Sequence, residues 1–169
     1  ANAPLITAYY ETLLDLLEAH LEQRRYLFGA RPALADFGLG AQLFECLIDP
    51  TCGAIMRGRA PGVADWCLRM NEPRNDGAFE TWGTLAPTLS PLLTYIAGYF
   101  LPWTVANARA LERGEDSFAV DLPGGTYVQP PQKYHAKSLA ELRRKYAAAS
   151  DDSETAAVLR DAGIAAFLA

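Results

Sequence analysis

From Ile6 to Leu21 the apolar side chains Ile6, Tyr10, Leu13, Leu17 and Leu21 recur at three- and four-residue steps, the spacing that sets them on one face of an α-helix. An apolar stripe of this length has to be buried against other elements, so the segment must belong to a packed domain. Leu14 and Leu16 widen the stripe, while Glu11, Asp15, Glu18 and Glu22 lie off it. Pro4 suits a first helical turn, Arg24 and Arg25 fall where cations complement the dipole of a last turn, and Gly29 closes the run. So broad a stripe fits the centre of a bundle or a dimer contact as well as an ordinary core helix.

The later segments repeat the helical pattern. A second helix is predicted from Leu34 to Ile48, closed by Asp49-Pro50 because the residue before proline disfavours helical geometry. A third starts near Pro61, presents Val63, Trp66, Cys67 and Met70, and stops at Glu72-Pro73. Residues 74–83 read as a loop with turn chemistry at Asn75-Asp76-Gly77. An aromatic helix with Leu92, Ile96, Tyr99, Phe100 and Trp103 is expected to start at Ser90-Pro91, bend at Pro102 and run to Gly114. Alternation at Phe118, Val120 and Leu122, followed by Pro-Gly-Gly, predicts one short β-hairpin over Phe118–Val128. A helix carrying His135, Leu139, Leu142 and Tyr146 follows Pro130-Pro131, and Asp151 with Glu154 reads as the capping box of a short last helix ending at Gly163. The fold class is all-α: a helical core over 1–115, then the hairpin and a C-terminal helical extension over 116–169.

Composition narrows the function. Half of the residues are apolar and 21% are charged, enough for a sizeable core and too hydrophobic for a disordered segment. A formal charge of -5 argues against a general nucleic-acid binder. No apolar run is long enough to span a bilayer, and Ala1-Asn2-Ala3-Pro4 lacks the basic start of a signal peptide. Cys46, Cys52 and Cys67 form no CxxC pair, which suits reduced thiols and a cytoplasmic location. With only His20 and His135, no metal site is expected. Neither histidine has a Ser or Cys in a recognisable nucleophile setting, so a hydrolase is not expected either.

The run Tyr26-Leu27-Phe28-Gly29-Ala30-Arg31-Pro32-Ala33-Leu34-Ala35-Asp36-Phe37 resembles the signature of the glutathione-transferase C-terminal domain. In that signature an aromatic turn is followed by a helix opening with Ser/Thr-x-x-Asp. Asp36 takes the N3 position of the capping box, where its carboxylate reaches back to the N-cap amide. The N-cap itself is Ala33 and has no hydroxyl, a loss of roughly 0.5–2 kcal/mol if nothing replaces it. The resemblance continues through Asp49-Pro50 and Ala60-Pro61-Gly62-Val63-Ala64-Asp65-Trp66 with Arg69-Met70, covering about residues 5–72. A looser likeness to bacterial members extends over about residues 85–169, at Leu101-Pro102-Trp103 and Gln129-Pro130-Pro131 among others.

The resemblance implies a protein that conjugates or reduces small hydrophobic electrophiles with glutathione as cosubstrate. The helical half would supply the acceptor-substrate subsite and part of a homodimer contact. Glutathione binding and thiol activation would fall to a thioredoxin-like domain, so the chain is expected to carry no cofactor and no catalytic residue of its own and to be inactive alone. No βαβ segment stands upstream of Leu5. Tyr95, Tyr99, Phe100 and Trp103 are the candidate substrate-binding residues, with core packing as the competing account of the same aromatic stripe. Asp36 is expected to be structural. Lys133, Lys137 and Arg144 suit a solvated face or an anion site, and Cys52 at a helix end is a weak candidate for a reactive thiol. The alternative function is a non-enzymatic ligand-binding or protein-interaction module that keeps the fold without the chemistry.

Overall fold

The computed structural model describes residues 2–149 and 152–169. In chain order it has helices α1 (Ala3–Leu21), α2 (Leu34–Ile48), α3 (Pro50–Arg59), α4 (Pro61–Arg69) and α5 (Trp82–Tyr95). A π-helical turn (Ile96–Phe100) leads into α6 (Leu101–Arg113), strands β1 (Phe118–Leu122) and β2 (Gly125–Gln129), and helices α7 (Lys133–Ala149), α8 (Ser153–Asp161) and α9 (Ala165–Leu168). The architecture is the expected one: helices throughout, with one antiparallel two-stranded hairpin among the described residues. The chain forms two compact units, one of residues Thr7–Leu92 and one of residues up to Ile6 together with Leu93–Ala169.

In the Thr7–Leu92 unit, Leu14 and Leu17 of α1, Tyr26, Met56 of α3, and Val63 and Trp66 of α4 make a fully buried core. Helix α1 stops at Leu21 rather than continuing through Arg24 and Arg25. The Arg24 amide closes a tighter turn on the Leu21 carbonyl at 3.1 Å, and its guanidinium swings back to the His20 carbonyl at 3.1 Å. A cation therefore does serve the end of α1, but from outside the helix.

Besides the end of α1, two boundaries differ from expectation, and α9 follows Gly163, where the last helix was expected to end. Helix α3 was not anticipated: Asp49 ends α2 and also N-caps α3, its carboxylate accepting the amides of Thr51 and Cys52 at 2.9 and 2.8 Å, with Pro50 in the first turn. Helix α5 starts at Trp82, well before Ser90, and holds Pro87 and Pro91 inside it. The Thr81 carbonyl takes the amides of Thr84 and Leu85 at 3.1 Å, which sets the first turn of α5 ahead of Pro87.

The N-cap of α4 is Ala60, which has no polar side chain. Glu18 of α1 supplies the missing acceptor, its two carboxylate oxygens taking the amides of Gly62 and Val63 at 3.0 and 2.9 Å. At the surface Arg59 grips Asp15 through two bonds of 2.6 and 2.7 Å.

In the other unit, α6 packs against α7 and β1. Asn107 of α6 pins the approach to α7, exchanging hydrogen bonds of 3.0 and 2.7 Å with the backbone of Gln132. The hairpin register pairs Phe118 with Gln129 and Leu122 with Gly125. Pro123 and Gly124 (φ 92°) form the turn between them, the pattern of a type II turn, where the second central residue needs positive φ. Of the residues on α7, Leu139 is buried and His135, Leu142 and Tyr146 are half-buried, as the spacing predicts. Asp152 N-caps α8, accepting the Glu154 amide at 3.2 Å. Asp151, the expected cap, lies outside the described residues.

Candidate functional site

The turn after α1 is built on Tyr26 and Gly29, whose amides and carbonyls exchange two hydrogen bonds of 3.0 and 3.2 Å. Gly29 holds φ 125°, and a Cβ there would sit 2.9 Å from the Ala78 carbonyl oxygen, so only glycine fits. Asp36, fully buried in the first turn of α2, reads this turn from below. One carboxylate oxygen accepts the Leu27 amide at 2.8 Å and the Trp66 indole N–H at 3.2 Å; the other accepts the Ala33 amide at 2.8 Å. The half of the capping box that Asp36 can supply is present. In place of the absent hydroxyl, the Asp36 amide bonds to the Ala33 carbonyl at 3.0 Å. Three donors converge on one carboxylate, which leaves it engaged in holding α2, α4 and the turn together.

His20 is equally buried. Its Nε2 donates to the Leu27 carbonyl at 2.8 Å, which makes Nδ1 the acceptor for the Thr88 hydroxyl at 2.8 Å. Burial pushes the imidazole below the usual histidine range, against an opposing pull from the Leu27 carbonyl, and keeps it neutral near pH 7. Arg24 closes the network, bonding Glu80 at 2.9 Å and the Thr84 carbonyl at 2.9 Å. This histidine is a structural link between the end of α1 and α5.

The candidate substrate-binding aromatics fall around the π-helical turn. Pro102 has no amide to give to Gly98, and the Leu101 amide instead reaches the Ile96 carbonyl, five residues back. The disturbance expected at Pro102 takes this form. Tyr95 and Tyr99 stack at 4.5 Å between ring centroids; Phe100 and Trp103 lie 6.3 Å apart. Trp103 also packs edge-on to His135 at 4.7 Å and near Phe118 at 6.4 Å, so it belongs to the packing of α6, α7 and β1. Phe100 is 38% exposed. A groove of about 880 Å³ beside α6 uses their neighbours Pro102 and Val105, not these four rings, in its wall.

The three cysteines are unpaired. Burial raises the thiols of Cys46 and Cys52, with the Asp49 carboxylate adding to the effect at Cys52, and pushes Cys67 up to about 11. All three are therefore thiols rather than thiolates near neutral pH, and Cys52 has no poised cation to activate it. Tyr10 donates to the Cys52 carbonyl at 3.2 Å, and burial raises its phenol as well. Lys133, Lys137 and Arg144 are exposed, Arg144 pairing with Glu141 at 2.8 Å. Among the described residues no His, Cys, Asp and Glu cluster suits a metal ion, and no helix is long and apolar enough to cross a membrane.

This frame of turn, buried aspartate and tryptophan is where the chain's likeness to known proteins falls. Residues 3–69, the span of α1 to α4, match the family model of the glutathione S-transferase C-terminal domain. No curated protein and no solved structure matches the chain.

Proposed function

We propose that the chain works as the helical half of a glutathione-transferase-like protein. In this reading a thioredoxin-like domain binds glutathione and activates its thiol. The helical half then offers the hydrophobic subsite for a small electrophile and part of a homodimer contact. The observation that carries the reading is the family match over α1 to α4, with Asp36 bonded to the turn, the α2 cap and Trp66 within it.

Two surface features support the finer parts. Around the π-helical turn, Phe100 and the Tyr95–Tyr99 stack give apolar and aromatic surface next to a widened backbone, a setting that suits a flat hydrophobic acceptor. On the other unit, Ile48 (61% exposed) at the end of α2 and Leu68 of α4 line a groove, apolar surface of the kind a partner domain covers. The cysteines of this chain are held protonated, which fits a thiol activated elsewhere. Three unpaired thiols also suit a reducing, cytoplasmic setting.

The test is reconstitution. The purified chain, and the same chain joined behind a thioredoxin-like domain, are assayed with glutathione and a chromogenic electrophile. Turnover should appear only in the joined protein and should fall in Phe100→Ala. Turnover by the chain alone would place the active site here and sink the assignment. Binding of apolar ligands without turnover in either form would favour the non-enzymatic module.

A further inference from the structure

The groove beside α6 lies wholly within the Leu93–Ala169 unit. Its floor is α6 at Pro102, Val105 and Arg109; one wall is β1, and the other is α9 with Arg143 of α7. Four consecutive residues of β1, Phe118 to Asp121, line it. Side chains alternate along a strand, so a consecutive lining means that the groove meets the edge of β1 rather than one of its faces.

That edge is open. On the opposite edge of the hairpin, Val128 turns its amide and carbonyl outward, to the side-chain amide of Asn2, at 3.4 and 2.7 Å. Val128 pairs with Ala119 in the register, so Ala119 is also a position outside the ladder bonds, and Asp121, two residues on, is the next. The backbone amides and carbonyls of Ala119 and Asp121 thus point out of the hairpin on the groove side. None of them has a partner among the described residues. On β2 the outward groups of Val128 are taken by an asparagine that imitates a peptide group; on β1 the outward groups of Ala119 and Asp121 are left as a template.

The charge around this edge reverses that of the chain as a whole, which is -5. Arg109 is exposed and makes no ion pair among the described residues. Arg143 gives Nε and one Nη to the Phe167 carbonyl, at 3.3 and 3.2 Å, and keeps donors to spare. Arg113 is partly neutralised by Glu115 at 3.0 Å, and Asp121 already accepts the Thr126 hydroxyl at 2.6 Å.

We propose that this groove binds an extended acidic peptide segment of another protein by strand addition to β1, its main chain pairing with Ala119 and Asp121 and its carboxylates meeting Arg109 and Arg143. The inference does not rest on the glutathione-transferase reading. Main-chain pairing supplies affinity; the guanidiniums supply the preference for acid; Val105 and Phe167 receive apolar side chains alternating with the acidic ones.

The probe is a short fluorescein-labelled peptide of alternating glutamate and valine, titrated with the full chain and read by anisotropy. It should bind, and an alternating lysine–valine peptide should not. Arg109→Glu should weaken binding about tenfold or more, the loss of a charge-assisted contact. Ala119→Pro removes an outward amide that the ladder does not use, so the fold should survive, as circular dichroism will report, and binding should fall. The same peptide N-methylated at alternate residues, tested on the unaltered chain, should bind far more weakly, which keeps the test independent of any variant. Equal binding of the methylated peptide would mean charge attraction without strand addition and would overturn the proposal. Octanoate displacing the peptide at concentrations comparable to the peptide's own would mark a small-anion site and overturn it as well. So would a failure of the acidic peptide to bind, or a dimer of the chain that dissociates in Arg109→Glu, which would assign the groove to a second copy.

Discussion

The indole N–H of Trp66 rests on the carboxylate of Asp36 at 3.2 Å, thirty positions apart in sequence and with both side chains fully buried. The same oxygen holds the Leu27 amide, so removing the carboxylate strands donors on the turn, the α2 cap and α4 together. Asp36→Ala should lower stability by about 3 kcal/mol or more, since buried donors left unpaired each cost roughly 1–3 kcal/mol. Ala33→Ser should raise stability by about 0.5 kcal/mol, a modest gain because the Asp36 amide already has the Ala33 carbonyl. Denaturant titration of both variants measures this; an unchanged midpoint in Asp36→Ala would refute the role given to the carboxylate.

Two glycines of α3 should respond to alanine with opposite signs. A Cβ on Gly58 meets nothing within 4 Å, so Gly58→Ala should stabilise by about 0.5–1 kcal/mol through helix propensity. A Cβ on Gly53 would collide with the Leu47 carbonyl where α2 and α3 meet, so Gly53→Ala should be strongly destabilising. Thermal melts of the pair give the comparison directly.

The sequence showed the elements whose signals are local. Helix α2 was legible at both ends, from Ala33-x-x-Asp36 and from Asp49-Pro50. The hairpin was legible because alternation and Pro123-Gly124 agree. Helix α3 was missed because one residue, Asp49, acts as both stop and start, and only the stop was read. The start of α5 was misplaced because Ser90-Pro91 reads as an N-cap and first turn, whereas Pro91, like Pro87, is accommodated inside the helix. Of the candidate site, the aromatic stripe could be read from its spacing. The open edge of β1 could not, because it depends on α6, Arg143 and α9 lining a groove beside Ala119 and Asp121.

Acidification should weaken the Thr7–Leu92 unit through His20 before the carboxylates titrate. The buried imidazole binds its proton less readily than in the unfolded chain, so as pH falls the unfolded chain is protonated first. The His20 contribution is therefore intact above about pH 6.5, is lost as pH drops below it, and levels off once pH is below the folded-state value. The loss should not exceed about 1.4 kcal/mol per pH unit for one proton. Asp15, Asp49, Glu141 and Asp152, all held below their ordinary values, lose their contributions only near pH 4 and under. Denaturant midpoints at pH 7.5 and 5.5 should differ in the native chain and converge in His20→Gln.

Cys67 should resist alkylation in the native chain. Its thiol is buried and its value of about 11 leaves almost no thiolate at pH 7.5. Iodoacetamide labelling followed by peptide mass mapping should modify Cys52 and Cys46 slowly and Cys67 only after unfolding. Rapid native labelling of Cys67 would show that the core opens locally around α4.

Glu18, reaching from α1 to the first amides of α4, makes one helix depend on another for its beginning. With Ala60 as its own cap residue, α4 has only Pro61 in its first turn to start it locally, and at nine residues it should be mostly coil as an isolated peptide. Helix α1 precedes α4 in the chain, and α4 gains this cap only on docking against it. Helix formation and tertiary assembly are thereby merged into one step, which penalises half-folded states of this unit and sharpens its transition toward all-or-none.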